Sequence, residues 1–147
     1  MEESINWLPM IVAAIIPMVL GAIYYGPLFG RQWMSSLGIT EDDLKGANMP
    51  LIYGIAFVVA FLIAMGLNFN IELNHKEVNS AGELVYGSFH TFKHGALHGF
   101  ITFFFLAAPV LISNSMFQRN SWKNIFINLG YWALVFALMG GLLDAWN

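Results

Sequence analysis

Residues 50–68 read PLIYGIAFVVAFLIAMGLN, an unbroken apolar run without a single charged side chain. A helix needs about 20 mostly apolar residues to cross the hydrocarbon core of a bilayer. This run therefore predicts a membrane span, and it sets the terms on which the rest of the chain is read. Three more runs of the same character lie at about 6–29, 94–117 and 123–146, separated by polar segments of about 20, 25 and 5 residues. No segment has the composition of an independent soluble domain, so residues 1–147 form a single membrane domain. The fold class expected is all-α: a polytopic integral membrane protein built as a four-transmembrane-helix bundle.

The composition agrees. Of the 147 residues 58% are hydrophobic and 10% charged, and mean hydropathy is +0.64. That is more apolar surface than a soluble domain of this size hides. Only six Lys and Arg are present, with a net charge of −3, which excludes a nucleic-acid-binding surface. The absence of cysteine excludes disulfides, thiolate metal sites and a cysteine nucleophile. The opening MEESINWLP lacks the basic residues of a secretory signal, so its apolar run is expected to be a retained helix.

The connections carry local signals. Pro17 is expected to kink the first span, which ends in YYGPLFG with Tyr24 and Tyr25 as interfacial aromatics and Trp7 marking the other interface. Thr40 and Asp43 read as the start of a short surface helix ending before Pro50. Ser80 and Glu83 read as a capping box, which predicts a third helix extended back to about residue 80. Running to about Ser113, it would be roughly 50 Å long, well beyond the ~30 Å hydrocarbon core. The turn QRNSWK, residues 118–123, should make the last two spans antiparallel neighbours.

Arg31, Lys45, Arg119 and Lys123 lie in the first and third connections, against Lys76 and Lys93 in the second. The positive-inside tendency then places both termini and the second connection outside a bacterial inner membrane.

In lipid, helices associate by close packing at small residues. Such residues recur four apart in every span: Ala22, Gly26 and Gly30; Ala56, Ala60 and Ala64; Gly87, Thr91, Gly95 and Gly99; Ala133, Ala137 and Gly141. They serve packing within the chain, or contacts with a second copy or partner subunit.

Beside the third of these stripes runs a polar one, Tyr86, His90, His94, His98 and Thr102, if the extended helix forms. His90 and His94, spaced i and i+4, can share a metal ion, with Glu83 or His75 as additional ligands, although no HExxH pattern is present. His98, a turn inside the apolar boundary, suits a proton or solute path. The plainer reading makes His90 and His94 solvated interfacial residues and has His98 bond a neighbouring helix. Asp144 also reads as interfacial, but antiparallel third and fourth helices would bring it to the side of His90 and His94. No GxSxG elbow, phosphate-binding glycine loop or intramembrane carboxylate pair is present.

The stretch from Ile5 to Leu44 resembles the opening of the domain-of-unknown-function family numbered 1761, small bacterial membrane proteins. The matching element here is Tyr24, Tyr25, Pro27, Leu28, Phe29, Gly30, Arg31 and Trp33. Near the other end Asn128, Gly130, Tyr131, Gly140 and Trp146 are similar to the family's close. The resemblance implies four membrane helices; it brings no established activity and no catalytic residues, and the histidine ladder maps onto no family motif.

Together these features predict a non-catalytic membrane protein without a cofactor, acting through helix contacts as a homo-oligomer or as an accessory subunit of a membrane complex, in contact with lipid and not with nucleic acid. The rival expectation is a small transporter or channel for a proton, metal ion or small solute, lined by the third-helix histidines.

Overall fold

The computed structural model describes residues 6–146. The acidic start that argued against a secretory signal lies largely outside these residues. Four helical stretches are long and apolar enough to cross a membrane: Trp7–Leu28, Met49–Asn74, Phe92–Phe117 and Trp122–Trp146.

The first begins at Asn6, whose side chain accepts from the Leu8 amide at 3.3 Å, and runs as α1 over Trp7–Ile23. It ends in a π-helical turn, Tyr24–Leu28, in which Gly26 leaves helical geometry. Chain direction changes there, beside Pro27, and not at Pro17, which stays inside α1. A short α2, Gly30–Leu37, follows and stops at Gly38, in the left-handed conformation that favours glycine. The surface helix expected after Thr40 is reduced to one 3₁₀ turn, Asp42–Leu44. Asp43 nevertheless reaches back to the Thr40 amide and hydroxyl, at 2.7 and 2.8 Å.

Helix α3, Met49–Asn74, is capped by Asn48 and continues past residue 68 to His75, which caps its C-terminus. Its outer face, with Leu51, Ile55, Val58 and Leu62 all more than half exposed, suits lipid.

The extension of the third helix back to residue 80 is not present. Residues 76–86 instead form an antiparallel hairpin of β1, Lys76–Val78, and β2, Leu84–Tyr86, with Lys76 opposite Tyr86. The reason is local: the Asn79 side chain accepts from the amides of Ala81 and Glu83, both at 2.9 Å, and Gly82 takes a positive φ. Asn79 thus takes up the Glu83 amide that the expected Ser80 cap would have served. Helix α4, Phe92–Thr102, starts only at Thr91, which is its N-cap. A π-helical turn, Phe103–Ala107, joins it to α5, Ala108–Phe117. The whole span of 26 residues is roughly 39 Å long at about 1.5 Å per residue, close to the ~40 Å of a bilayer with its interfaces. The overlong helix disappears.

Arg119, with φ 58°, turns the chain into α6, Trp122–Trp146, antiparallel to the third span. Helix α6 is the hub, packed against α1, α3 and most extensively α4. The buried core between α1, α3 and α6 is formed by Met10, Ala13, Ala64, Leu67, Ile71, Val135, Met139 and Leu143. Ala60 and Ala64 are buried, whereas Ala56, Ala22 and Gly26 are exposed and Ala133 and Ala137 half-buried.

The closest approach is between α4 and α6. A Cβ on Gly95 would collide with the Gly140 carbonyl and the Asp144 Cβ, and one on Gly99 with the Phe136 carbonyl. Gly141 lies against the Phe92 ring. Glycine is required at this crossing because backbone meets backbone. Gly87 and Thr91, outside the helix, take no part in the seam: Gly87 lies beside the Glu77 side chain and Thr91 caps.

Candidate functional site

The end of α3, the start of α4 and the end of α6 meet on one face of the bundle, under the hairpin. Asp144 lies there, with a side chain 0% exposed. His75, the C-cap of α3, places Nδ1 at 2.7 Å from Asp144 Oδ1. His90, in the link between β2 and α4, brings Nε2 within 3.2 Å of the same oxygen. His94, in the first turn of α4, has Nδ1 3.4 Å from Asp144 Oδ2. These last two contacts are of ion-pair distance but lack hydrogen-bond geometry. One helical turn further, His98 Nε2 faces His94 Nε2 at 3.1 Å. All four histidines of the chain thus gather about one buried carboxylate.

The rings pack as a cluster. His75 lies 4.5 Å from His94 and 4.8 Å from His98, measured between ring centres. One ring nitrogen from each of His75, His94 and His98 lies within 4.8 Å of the others, a spacing at which a single ion can be shared. His75 and Asp144 are buried, while the His94 side chain is 31% exposed and opens the cluster to one side. Toward the membrane centre Thr102 bonds the His98 carbonyl at 2.9 Å, and Phe103 beyond it is buried.

The hairpin ties the cluster's rim. Tyr86 packs its ring tilted against His90, centres 4.4 Å apart, and donates to Glu72 at 2.5 Å, and Glu72 also pairs with Lys76 at 2.7 Å. Tyr86 and His90 therefore belong to the hairpin and its link, and the five-membered polar stripe on one helix does not form: only His94, His98 and Thr102 share α4. The metal pair expected at His90 and His94 is likewise rearranged. His94 faces His98, and His90 faces Asp144 from another direction. Glu83 lies in the hairpin turn, bonded by Asn79.

His75, in the sequence only an alternative to Glu83 as an additional ligand, is in the structure the histidine bonded to Asp144. Its signal was present: a histidine ending the second span lies at the same membrane face as a carboxylate ending the fourth.

A second polar cluster lies at the opposite face. Tyr25 donates to Asn128 at 2.7 Å, Asn128 to Asn124 at 3.0 Å, and Asn124 to Ser36 at 3.0 Å. Tyr24 donates to the Ile127 carbonyl at 2.9 Å and Tyr131 to the Pro17 carbonyl at 2.7 Å. The tyrosine pair expected at the headgroups is turned inward onto α6.

A family model described as "Protein of unknown function (DUF1761)" matches residues 8–143. The chain belongs to this family. No curated protein and no solved structure matches it. The residues that carry the likeness to DUF1761 at the two ends of the chain are in contact in space. A Cβ on Gly130 would lie 2.7 Å from the Tyr24 hydroxyl, and Tyr24, Tyr25 and Tyr131 form one aromatic group. In this chain Tyr24, Tyr25, Gly130 and Tyr131 dock the end of the first span on α6 away from the histidines, whereas Gly140 belongs to the α4–α6 crossing beside them.

Proposed function

We propose that this membrane protein binds a cation at the cluster of His75, His94, His98 and Asp144, and that its role is to hold or hand on that cation without covalent chemistry. The observation that carries the reading is Asp144, wholly buried and met by ring nitrogens from three directions. Removing a carboxylate from water costs several kcal/mol even after relaxation, and a well-packed apolar side chain usually stabilises a core as well or better. Stability gives no reason for such a group here, whereas cation binding does. The apolar, buried core beyond the cluster favours a site reached from one membrane face over a path through the bundle. With four of the six basic residues in the first and third connections, the positive-inside tendency turns the site toward the outside of a bacterial inner membrane.

The test is thermal unfolding of the full chain in mild detergent with Na⁺, K⁺, Mg²⁺, Ca²⁺, Mn²⁺ and Zn²⁺ in turn. A cation present at 100 times its Kd stabilises by about 2.7 kcal/mol. At least one is expected to raise the midpoint, and Asp144→Asn to diminish that rise. If none does so, the reading is wrong.

A homo-oligomer, or an accessory subunit in a larger membrane complex, is favoured by one separate observation: Ala22, Gly26 and Ala56 stay exposed, so these small residues are not used within the chain. Crosslinking in native membranes would then capture a neighbour through α1 or α3. Only monomers, there and in gentle detergent, would dismiss it.

A further inference from the structure

Resting on the cation-binding reading, we propose its chemical class and ligands: a divalent transition metal of the zinc type, held by Nε2 of His75, His94 and His98. Asp144 stands behind them as the hydrogen-bond acceptor of His75.

The tautomers point this way. In a neutral His75 ring facing the Asp144 carboxylate, the 2.7 Å contact from Nδ1 assigns the ring proton to Nδ1 and leaves Nε2 as the lone-pair nitrogen. That Nε2 is buried and has no hydrogen-bond partner. A histidine that gives one N–H to a carboxylate and keeps the other nitrogen free has the arrangement found behind metal-ligating imidazoles, where it fixes the ring and raises its basicity. His94 places Nδ1 3.4 Å from Asp144 Oδ2, at ion-pair distance without hydrogen-bond geometry, and turns Nε2 to His98. One carboxylate thus backs the His75 ring by a hydrogen bond and lies beside that of His94.

The spacing also fits. Zinc binds imidazole nitrogen at about 2.0–2.1 Å, which puts two tetrahedral ligands roughly 3.3 Å apart. The 3.1 Å between the Nε2 atoms of His94 and His98 needs little adjustment. One ring nitrogen from each of the three lies within 4.8 Å of the others, so side-chain rotation would be enough to close the set around an ion. Three imidazoles select against Mg²⁺ and Ca²⁺, which take oxygen ligands, and suit zinc, copper, nickel or iron. The exposed edge of His94 leaves a fourth position for water or a passing ligand. His90 is outside the set, because its Nε2 is directed to Asp144 Oδ1.

The experiment is titration of the purified full chain in detergent with Co²⁺ and Zn²⁺, following the visible absorption of tetrahedral cobalt and its replacement by zinc. One ion per chain is expected. His98→Gln, at a half-buried position that leaves the His75 to Asp144 contact intact, should abolish the tetrahedral spectrum. Asp144→Asn should keep one site and weaken it about 10–100-fold, and His90→Gln should keep both the stoichiometry and the spectrum. Circular dichroism confirms that each variant is folded. If His90→Gln loses the metal and His98→Gln retains it, the ligand assignment is overturned. If Na⁺ or Ca²⁺ stabilises the chain while Co²⁺ and Zn²⁺ do not bind, the metal class is wrong and the cation reading stands. If no cation binds, both fall.

Discussion

Replacing Gly95 with alanine tests the crossing on which the site depends. The added Cβ would overlap the Gly140 carbonyl oxygen and the Asp144 Cβ, with the Gly140 carbonyl carbon at 3.0 Å. These atoms belong to the α6 backbone or adjoin it, so no flexible side chain can swing away. The helices must part by about 1 Å, and a gap of that order forfeits a quarter to a half of the dispersion energy of each contact it opens. Overpacking costs about 1–3 kcal/mol, with backbone obstacles at the upper end. Alanine returns at most about 1 kcal/mol through its helix preference. The net is a loss of about 2 kcal/mol. Gly66 is the internal control, because a Cβ there meets nothing within 4 Å. Gly66→Ala should be neutral or up to about 1 kcal/mol stabilising, which sets the two variants as much as ~3 kcal/mol apart. Unfolding by SDS in mixed micelles, followed by circular dichroism, measures both. Equal shifts in the same direction would refute the close backbone approach.

Two further outcomes concern other parts of the chain. Tyr131→Phe removes the buried bond to the Pro17 carbonyl and should cost about 1 kcal/mol in the same assay; the half-exposed Tyr53→Phe should cost nothing measurable, and equal losses would count against the α1 to α6 clamp. The Thr40 amide and hydroxyl hold the Asp43 carboxyl below the usual carboxylate range, so these bonds are intact above the ordinary pKa of about 3.9 and weaken as pH falls through the depressed value. A carboxyl NMR titration should find a low midpoint that moves part of the way back up in Thr40→Ala, which keeps the amide bond; an unchanged midpoint would remove the hydroxyl's role.

How much of this was legible in the sequence follows from the range of the forces involved. Apolar runs reveal the spans because the bilayer imposes length and hydropathy on each helix separately. Caps and turns are short-range, yet two signals competed between residues 75 and 91. Ser80 with Glu83 imitates a helix start, but Asn79 satisfies the nearby amides and Gly82 adopts a positive φ, so a hairpin wins. Helical periodicity assumed across that hairpin then put Tyr86 and His90 on the same stripe as His94. The pairing of Asn128 with Tyr25 joins residues far apart in the chain, and no local pattern announces it.

In the sequence the small-residue stripe and the histidines of α4 are neighbouring stripes, one suited to contact and one to chemistry. In the structure they are parts of the same device. Gly95 and Gly99 let α4 lie directly on α6, and the carbonyl met by Gly95 belongs to Gly140, one turn before Asp144. A residue one position before each of these glycines on α4 points beside the seam, which is where His94 and His98 project. Bringing the backbones together is therefore what brings the His94 ring within 3.4 Å of a carboxylate on the other helix. His75 then completes the cluster from the end of α3, which reaches it only because the second span continues to Asn74. It follows that Gly95→Ala should weaken metal binding even at a detergent concentration where the chain stays folded, since parting the helices withdraws His94 and His98 from Asp144 and His75 together. Gly66→Ala, on the lipid face of α3, should leave that binding unchanged. If Gly95→Ala bound cobalt as tightly as the unaltered chain, the cluster would not depend on the crossing, and the coupling of groove to site would be wrong.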